Sequence, residues 1–153
     1  MSRQADIFQA LVGEWKLHRQ IVPFGSLTGG ASFVAQSAAR LHYTETGILR
    51  LDGGAGSTEA RRCFSYRWEH GAINVYFADG PQDGQLFHVL SFDDAISATA
   101  SHHCVADLYR TTYRFELPAR FSVEHHVTGP HKRYVSTSLY TRAVDSRRPN
   151  PSP

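Results

Sequence analysis

The spacing of hydrophobic positions changes once along the chain. Near the N-terminus, Ile7, Phe8, Leu11 and Val12 fall on one helical face and Gly13 follows as a stop, so we expect a helix over residues 3–12. Beyond it, short segments alternate apolar and polar positions between Gly, Pro and Asp-Gly breakers, which is typical of strands joined by turns. The pattern predicts ten strands, at residues 14–22, 30–37, 40–50, 58–69, 72–78, 85–92, 96–104, 107–117, 121–128 and 132–142.

Sequential strands joined by tight turns form an antiparallel meander. Closure into a barrel removes the exposed edges of such a meander, whereas a β-sandwich, the alternative, would need longer crossovers. We therefore expect an all-β fold: a single antiparallel β-barrel of about ten strands with a short N-terminal helix, in one domain over residues 1–143. Segment 144–153 has no apolar residues to bury except Val144, and we expect a disordered Pro/Arg-rich tail there.

Composition narrows the class of protein. The formal net charge is only +2, and the basic residues form no stripe with interleaved aromatics, so we expect no nucleic-acid partner. The N-terminal segment lacks the features of a signal peptide, and no apolar run approaches the roughly 20 residues of a membrane span. We expect a cytoplasmic protein without a membrane partner, with Cys63 and Cys104 both free. No feature indicates the oligomeric state.

Alternation along each strand assigns side chains to the barrel interior. It places Arg62 and Phe64 inward with Cys63 on the opposite face, and Leu86 inward with His88. Across a two-residue turn at 105–106, Cys104 would face Asp107 and His102 would face Tyr109. Val105-Ala106 is poor chemistry for a tight turn, which leaves a register shifted by one residue as the alternative. Such a shift would separate His102 from Tyr109.

The predicted interior carries polar and phenolic groups among its apolar residues. These candidate ligand-binding residues are Arg19, Tyr43, Glu45, His88, His102, Asp107, Tyr109 and His125. Buried charges are costly unless they are paired, so the set indicates either ion pairs within the wall, such as Arg19 with Glu45, or a hydrated pocket. Small barrels can enclose one small ligand, and guanidinium and phenol groups together suit a carboxylate or an enolate.

Metal binding is a weaker interpretation of the same residues. His88, His102 and His125, completed by Asp107 or Cys104, could form a ligand set. However, His102-x-Cys104 is not an established zinc spacing, so no metal site is predicted. No pattern identifies a cofactor.

Both ends of the barrel sequence carry a family resemblance. Gly13-Glu14-Trp15 opens the first strand after a short helix, and Thr141-Arg142 closes the last strand. This resembles the lipocalin and calycin superfamily, in which a Gly-x-Trp packs beneath a basic residue of the last strand and plugs the closed end. The resemblance implies that Trp15 is buried against Arg142.

A longer set of motifs resembles a family of uncharacterised lipocalin-like proteins, defined only as a domain of unknown function. The resemblance spans roughly residues 11–142 and implies the fold without an activity. Its motifs are Trp15-x-x-x-Arg19, Tyr43-x-Glu45-x-Gly47, Phe77-x-Asp79-Gly80, Phe87-His88, and His102-x-Cys104-x-x-Asp107-x-Tyr109 with Tyr113.

Two functions from different classes follow. The first is a β-barrel that binds a small, anionic or aromatic molecule in its lumen. The alternative is an enzyme in the same lumen, with decarboxylase- or isomerase-like acid/base chemistry on a small carboxylic acid. Phenolic acid decarboxylases are calycin barrels that use tyrosines, an arginine and a glutamate, and Arg19, Tyr43, Glu45 and Tyr109 are similar in type but not in spacing. Arg19 and Tyr43 would then hold a carboxylate while Glu45 exchanges a proton. A lumen filled with side chains would instead indicate a structural or interaction role.

Overall fold

The computed structural model describes residues 3–54, 56–104 and 107–143, with the side chains of His103 and Cys104 excepted. Well over half of these residues lie in strands, as the alternation predicted. The elements are α1 (Arg3–Ala10), β1 (Gly13–Val22), β2 (Gly25–Ser37), β3 (Arg40–Leu51), β4 (Ser57–Glu69), β5 (Ala72–Phe77), β6 (Leu86–Val89), β7 (Ser91–Phe92), β8 (Ser97–Cys104), β9 (Asp107–Glu116), β10 (Arg120–Thr128) and β11 (Arg133–Arg142). The expected tail at 144–153 and the inward placement of Cys104 fall outside the described residues and side chains.

The strands form one antiparallel sheet that curls into a nearly closed barrel. The spatial order is β6-β5-β4-β3-β2-β1-β11-β10-β9-β8-β7. The two outer strands of this order, β6 and β7, are consecutive in the chain with only Leu90 between them. Because β6 pairs with β5 while β7 pairs with β8, this short segment brings the two ends of the sheet together. The all-β barrel prediction is confirmed, with the predicted sixth strand divided in two.

One end of the barrel is closed by the helix and an aromatic plug. Phe8 and Leu11 are fully buried, and Trp15 is 2% exposed and donates its indole N–H to the Leu11 carbonyl at 3.0 Å. The Arg142 guanidinium lies 3.7 Å from the centre of the Trp15 ring and donates to the carbonyl of Ala10 at 2.8 Å. The expected contact between Trp15 and Arg142 is confirmed.

The glycine of the Gly-x-Trp motif is required at this end. Gly13 has a φ of +127°, in the region that L side chains rarely adopt. A Cβ atom there would also lie 2.9 Å from the guanidinium of Arg142. Gly13 therefore leaves room for Arg142 to reach across Trp15.

A bulge in β6 overturns one inward assignment. Val75 pairs with His88 but Tyr76 pairs with Leu86, so Phe87 is an extra residue in the ladder. Phe87 and His88 consequently both turn to the interior, with their rings stacked at 3.6 Å between centroids. The prediction that Leu86 faces inward is wrong, since Leu86 is 46% exposed.

The pairing of β8 with β9 has the expected register. Cys104 pairs with Asp107 and His102 with Tyr109, which confirms the predicted two-residue connection, although residues 105 and 106 themselves lie outside the description. Cys63 is a free thiol on the outer face, as predicted, and yet it is buried. No helix in the described part of the chain is long and apolar enough to cross a membrane.

Candidate functional site

The barrel contains a cavity of about 340 Å³ at the end opposite the Trp15 plug. Its lining begins at Arg19 and Ile21 on β1, four and six residues beyond Trp15, and includes Tyr134 and Ser136 on β11. A second space of about 50 Å³ lies deeper among tyrosines of the core. Arg19, Glu45, Phe64, Phe87 and His125 line both spaces, so the two meet at these residues.

The structure brings most of the predicted site residues to this lumen. Arg19, Glu45, His102, Tyr109 and His125 line the larger cavity. Three others are placed differently. Tyr43 lines the deeper space, and His88 lies behind it, in contact with Phe87. Asp107 lies against Gly129, where any side chain at position 129 would collide with the Asp107 carboxylate. Neither His88 nor Asp107 lines the larger or the deeper space.

Arg19 and Glu45 form a bidentate ion pair in the cavity wall. The two terminal guanidinium nitrogens of Arg19 donate to the two carboxylate oxygens at 2.8 and 2.9 Å. Arg19 Nε also donates to Ser138 Oγ at 2.7 Å, and Tyr43 donates its hydroxyl to Glu45 Oε1 at 2.7 Å. Because the one proton of Tyr43 is used there, Tyr140, 2.8 Å away, donates to the Tyr43 oxygen.

The pair remains charged at neutral pH. Burial alone would raise the pKa of Glu45, but the hydrogen bonds and charge of Arg19 outweigh burial and hold it below its ordinary value. Burial likewise opposes the charge of Arg19, while the bond to Glu45 raises the pKa of the guanidinium. The wall therefore presents a neutralised pair here and not a free cation.

Two inward histidines belong to a second polar network. His88 Nδ1 lies 2.7 Å from the Tyr113 hydroxyl, and His88 Nε2 lies 3.2 Å from Thr111 Oγ1. Thr111 Oγ1 lies 2.7 Å from His125 Nδ1. Burial lowers the pKa of His88 to about 3, and burial with the nearby Arg19 charge lowers the pKa of His125 to about 4. Both imidazoles are therefore neutral at pH 7.

Three phenylalanines form an apolar wall in the larger cavity. Phe77 and Phe87 lie 4.6 Å apart between ring centres, and Phe64 lies 5.7 and 5.6 Å from them. His102 extends this wall, with its ring centre 5.4 Å from that of Phe87 and its plane at 71° to it. Alternation alone placed Phe64 inward, but it could not find Phe87, whose direction depends on the bulge.

Of the two arginines that line the cavity, Arg62 has the weaker ion pair. Its side chain is 50% exposed, and its Nε lies 3.6 Å from an Asp79 carboxylate oxygen that is itself partly exposed. The guanidinium carbon lies 5.1 Å from the centre of the Phe64 ring. An anionic group in the lumen would therefore meet Arg62 more readily than Arg19.

Sequence reasoning gave no role to Tyr134 and Ser136, which also line the cavity. The signal was present, because Tyr134, Ser136, Ser138 and Tyr140 alternate on one face of β11. No three His, Cys, Asp or Glu side chains lie together as a possible metal site within the described residues.

Comparison with known proteins gives a family and a fold. The family described as "Family of unknown function (DUF6314)" matches residues 11–142. No curated protein matches the chain. The S-type phycobiliprotein lyase CPES from Guillardia theta is similar in structure, with a TM-score of 0.64 and 11% identity over 92% of this chain and 93% of that chain. The redesigned β-barrel mFAP1, solved bound to DFHBI, has a TM-score of 0.47 and 14% identity over 92% of this chain and 100% of that chain.

Proposed function

We propose that this chain, which belongs to the family of unknown function (DUF6314), binds one small aromatic molecule in the lumen of its barrel. The observation that carries the proposal is a cavity of about 340 Å³ with an apolar aromatic wall and a polar wall. Ligand pockets commonly measure about 300–1,000 Å³ and combine apolar surface with a few polar groups. The volume suits a molecule of one or two rings. The Gly13-x-Trp15 plug beneath Arg142 supports a lipocalin-like ancestry for the barrel.

The phenylalanine wall favours a flat, conjugated ligand. Phe64, Phe77 and Phe87 present neighbouring rings to the same space, and a further ring can stack on them or meet their edges. Such aromatic contacts add about 0.5–1.5 kcal/mol beyond the burial of apolar area. A saturated ring of the same size would gain the burial without this contribution.

The charges of the lining favour an acidic ligand with its anionic group toward Arg62. Arg19 is already neutralised by Glu45 and has given its third donor to Ser138. The decarboxylase-like alternative would need Arg19 and Tyr43 to hold a substrate carboxylate, but both already donate to Glu45. The arrangement therefore supports binding of an aromatic acid more than its decarboxylation.

A pair of adjacent substitutions on β11 tests the proposal. Ser136 lines the cavity, and Thr137 beside it points to the outside. Titration calorimetry with benzoate and cinnamate should detect binding to the wild type and to Thr137→Phe, and a loss of more than about tenfold in Ser136→Phe. Thermal melts of the two variants provide the check that both are folded.

Cyclohexanecarboxylate is the matched ligand control, since it keeps the acid and the approximate size of benzoate but has no aromatic ring. We expect it to bind more weakly than benzoate. Undiminished benzoate binding by Ser136→Phe would place the site outside the lumen, and equal binding of the two acids would contradict the role of the phenylalanine wall.

A further inference from the structure

A hydrogen-bond chain runs from the core to the cavity through two neutral histidines. In order, it joins the Tyr113 hydroxyl, His88 Nδ1, His88 Nε2, Thr111 Oγ1 and His125 Nδ1, with separations of 2.7, 3.2 and 2.7 Å across its three bonds. Each neutral imidazole has one N–H donor and one acceptor nitrogen, and each hydroxyl has one proton. The chain therefore has two possible directions, and the direction decides what His125 offers the lumen.

The lengths of the three bonds favour one direction. Hydrogen bonds from hydroxyl donors, about 2.7–2.8 Å long when the acceptor is an oxygen, are shorter than those from N–H donors, about 2.9–3.0 Å long. If Tyr113 donates to His88 and Thr111 donates to His125, both short bonds have hydroxyl donors and the 3.2 Å bond has the imidazole N–H of His88. The opposite direction would assign both 2.7 Å bonds to imidazole N–H groups. The outward direction, from Tyr113 to His125, fits all three lengths.

His125 then has one nitrogen left for the lumen. Its Nδ1 accepts from Thr111, so Nε2 carries the proton. Its ring lines both the larger and the deeper space. Among the described residues, Asn74 Oδ1 is the one fully buried side-chain polar atom without a hydrogen-bond partner. His125 Nε2 is absent from the hydrogen bonds of the described residues and is not such a buried atom, so it is accessible from the lumen.

We propose that His125 is a specificity-determining residue whose Nε2–H donates to an acceptor oxygen of the aromatic ligand. The acceptor would be a carbonyl oxygen at the inner end of the molecule, with the anionic group of the ligand toward Arg62. This inference rests on the proposed aromatic-binding function and narrows it to oxygen-bearing aromatics. His88, Thr111 and Tyr113 act through His125, because their bonds fix its tautomer and orientation without contact with the ligand.

The direction of the chain can be measured without a ligand. Long-range ¹H–¹⁵N correlation spectra of the imidazole rings distinguish the two neutral tautomers of each histidine. We expect the Nε2–H tautomer at both His88 and His125 near pH 7. Nδ1–H tautomers at these two rings would show that the chain runs inward and would overturn the inference.

The ligand class can be measured with two isosteric probes and two adjacent variants. Acetophenone has a carbonyl oxygen where α-methylstyrene has a methylene group. His125 faces inward and His126 beside it faces out, with its side chain half exposed. We expect the wild type and His126→Phe to prefer acetophenone by about fivefold, the value of one net hydrogen bond, and His125→Phe to lose this preference.

The outcomes separate the two proposals. A preference for acetophenone that survives in His125→Phe, or wild-type binding of both probes without preference, would reject the role of His125 and leave aromatic binding intact. Binding of neither probe, nor of benzoate, by the wild type would reject the proposed function and the ligand class with it. Phenylalanine fills the volume of the imidazole, and a thermal melt shows whether His125→Phe retains the fold.

Discussion

Removal of the guanidinium from the Arg19–Glu45 pair should strongly destabilise the barrel. In Arg19→Met, the methionine keeps much of the side-chain volume but leaves the Glu45 carboxylate, 4% exposed, with Tyr43 as its one remaining side-chain donor among the described residues. The substitution also removes both bonds of the bidentate pair and the bond to Ser138. A buried carboxylate would therefore lose its cation and most of its hydrogen bonds.

The expected magnitude follows from the burial of the pair. Removal of one partner from a buried ion pair typically costs about 3–5 kcal/mol. The side chain of Arg19 keeps 18% exposure, so water can partly replace the guanidinium. We expect a loss near the lower end, about 3 kcal/mol. Arg62→Met is the matched control, because its pair with Asp79 is half exposed and 3.6 Å long, and it should cost less than about 1 kcal/mol.

Urea unfolding as a function of pH checks both the magnitude and its cause. In the wild type, the lowered pKa of Glu45 stabilises the fold above the unfolded value of 4.5, and this stabilisation is lost as pH falls through the folded value. In Arg19→Met, burial is no longer opposed, so the pKa of Glu45 rises and the carboxyl takes up a proton as pH falls. The deficit should therefore shrink toward acid. The double variant Arg19→Met/Glu45→Gln should recover a large part of the loss at pH 7. A deficit as small as that of Arg62→Met, or one independent of pH, would refute the reasoning.

Two further predictions concern the closed end and the histidine network. Trp15→Ala should lower the free energy of unfolding by about 3–5 kcal/mol, because it empties a core position that is 2% exposed. In a Trp68→Phe background, the fluorescence of Trp15 should lie in the blue range of a buried indole, and a red-shifted emission would contradict its burial. Folding lowers the pKa values of His88 and His125 from 6.5 to about 3 and about 4. The stabilisation by the two neutral rings is therefore fully present above pH 6.5. Below pH 6.5 the free energy of unfolding should fall by about 1.4 kcal/mol per pH unit for each histidine, until the pH reaches the folded pKa. Urea unfolding of His88→Phe should show a slope shallower by one proton, and an unchanged slope would contradict the neutral state of His88.

The barrel was predictable because strict alternation survives in most of its strands. On β1, Trp15 and Leu17 are buried and Arg19 lines the lumen, as their common parity required. The boundary errors have local causes. β2 begins at Gly25, whereas residue 30 was predicted. The error arose because Gly29 and Gly30 weaken the strand pattern in the sequence, although both residues pair with β3 in the structure. The register of β8 and β9 held despite the unfavourable turn residues.

The site was less predictable than the fold. The alternation of side chains along a strand shows which face of the sheet a residue lies on, but not which residue it contacts. Alternation placed Arg19 and Glu45 in the same interior, yet it is the register of β1, β2 and β3 that brings a guanidinium nitrogen of Arg19 within 2.8 Å of a Glu45 carboxylate oxygen. The bulge at Phe87 has no signature in the sequence pattern, and it exchanges an expected leucine for a phenylalanine in the lumen. Six of the eight predicted site residues line the two spaces, and that they bind a ligand stays a prediction.

The distribution of hydrogen bonds explains why an interior with this many polar groups can still be selective. Arg19, Glu45, Tyr43 and Tyr140 satisfy one another in one network, and the chain from Tyr113 to Thr111 forms the second. Groups that are already bonded gain little from a ligand, since binding would exchange one hydrogen bond for another. Discrimination therefore falls to groups with capacity left, which include His125 Nε2 at the inner end and Arg62 near the exposed side. Selectivity for an aromatic acid with an inner acceptor oxygen would then depend on these two side chains and the phenylalanine wall between them, while the networks keep the remaining wall rigid.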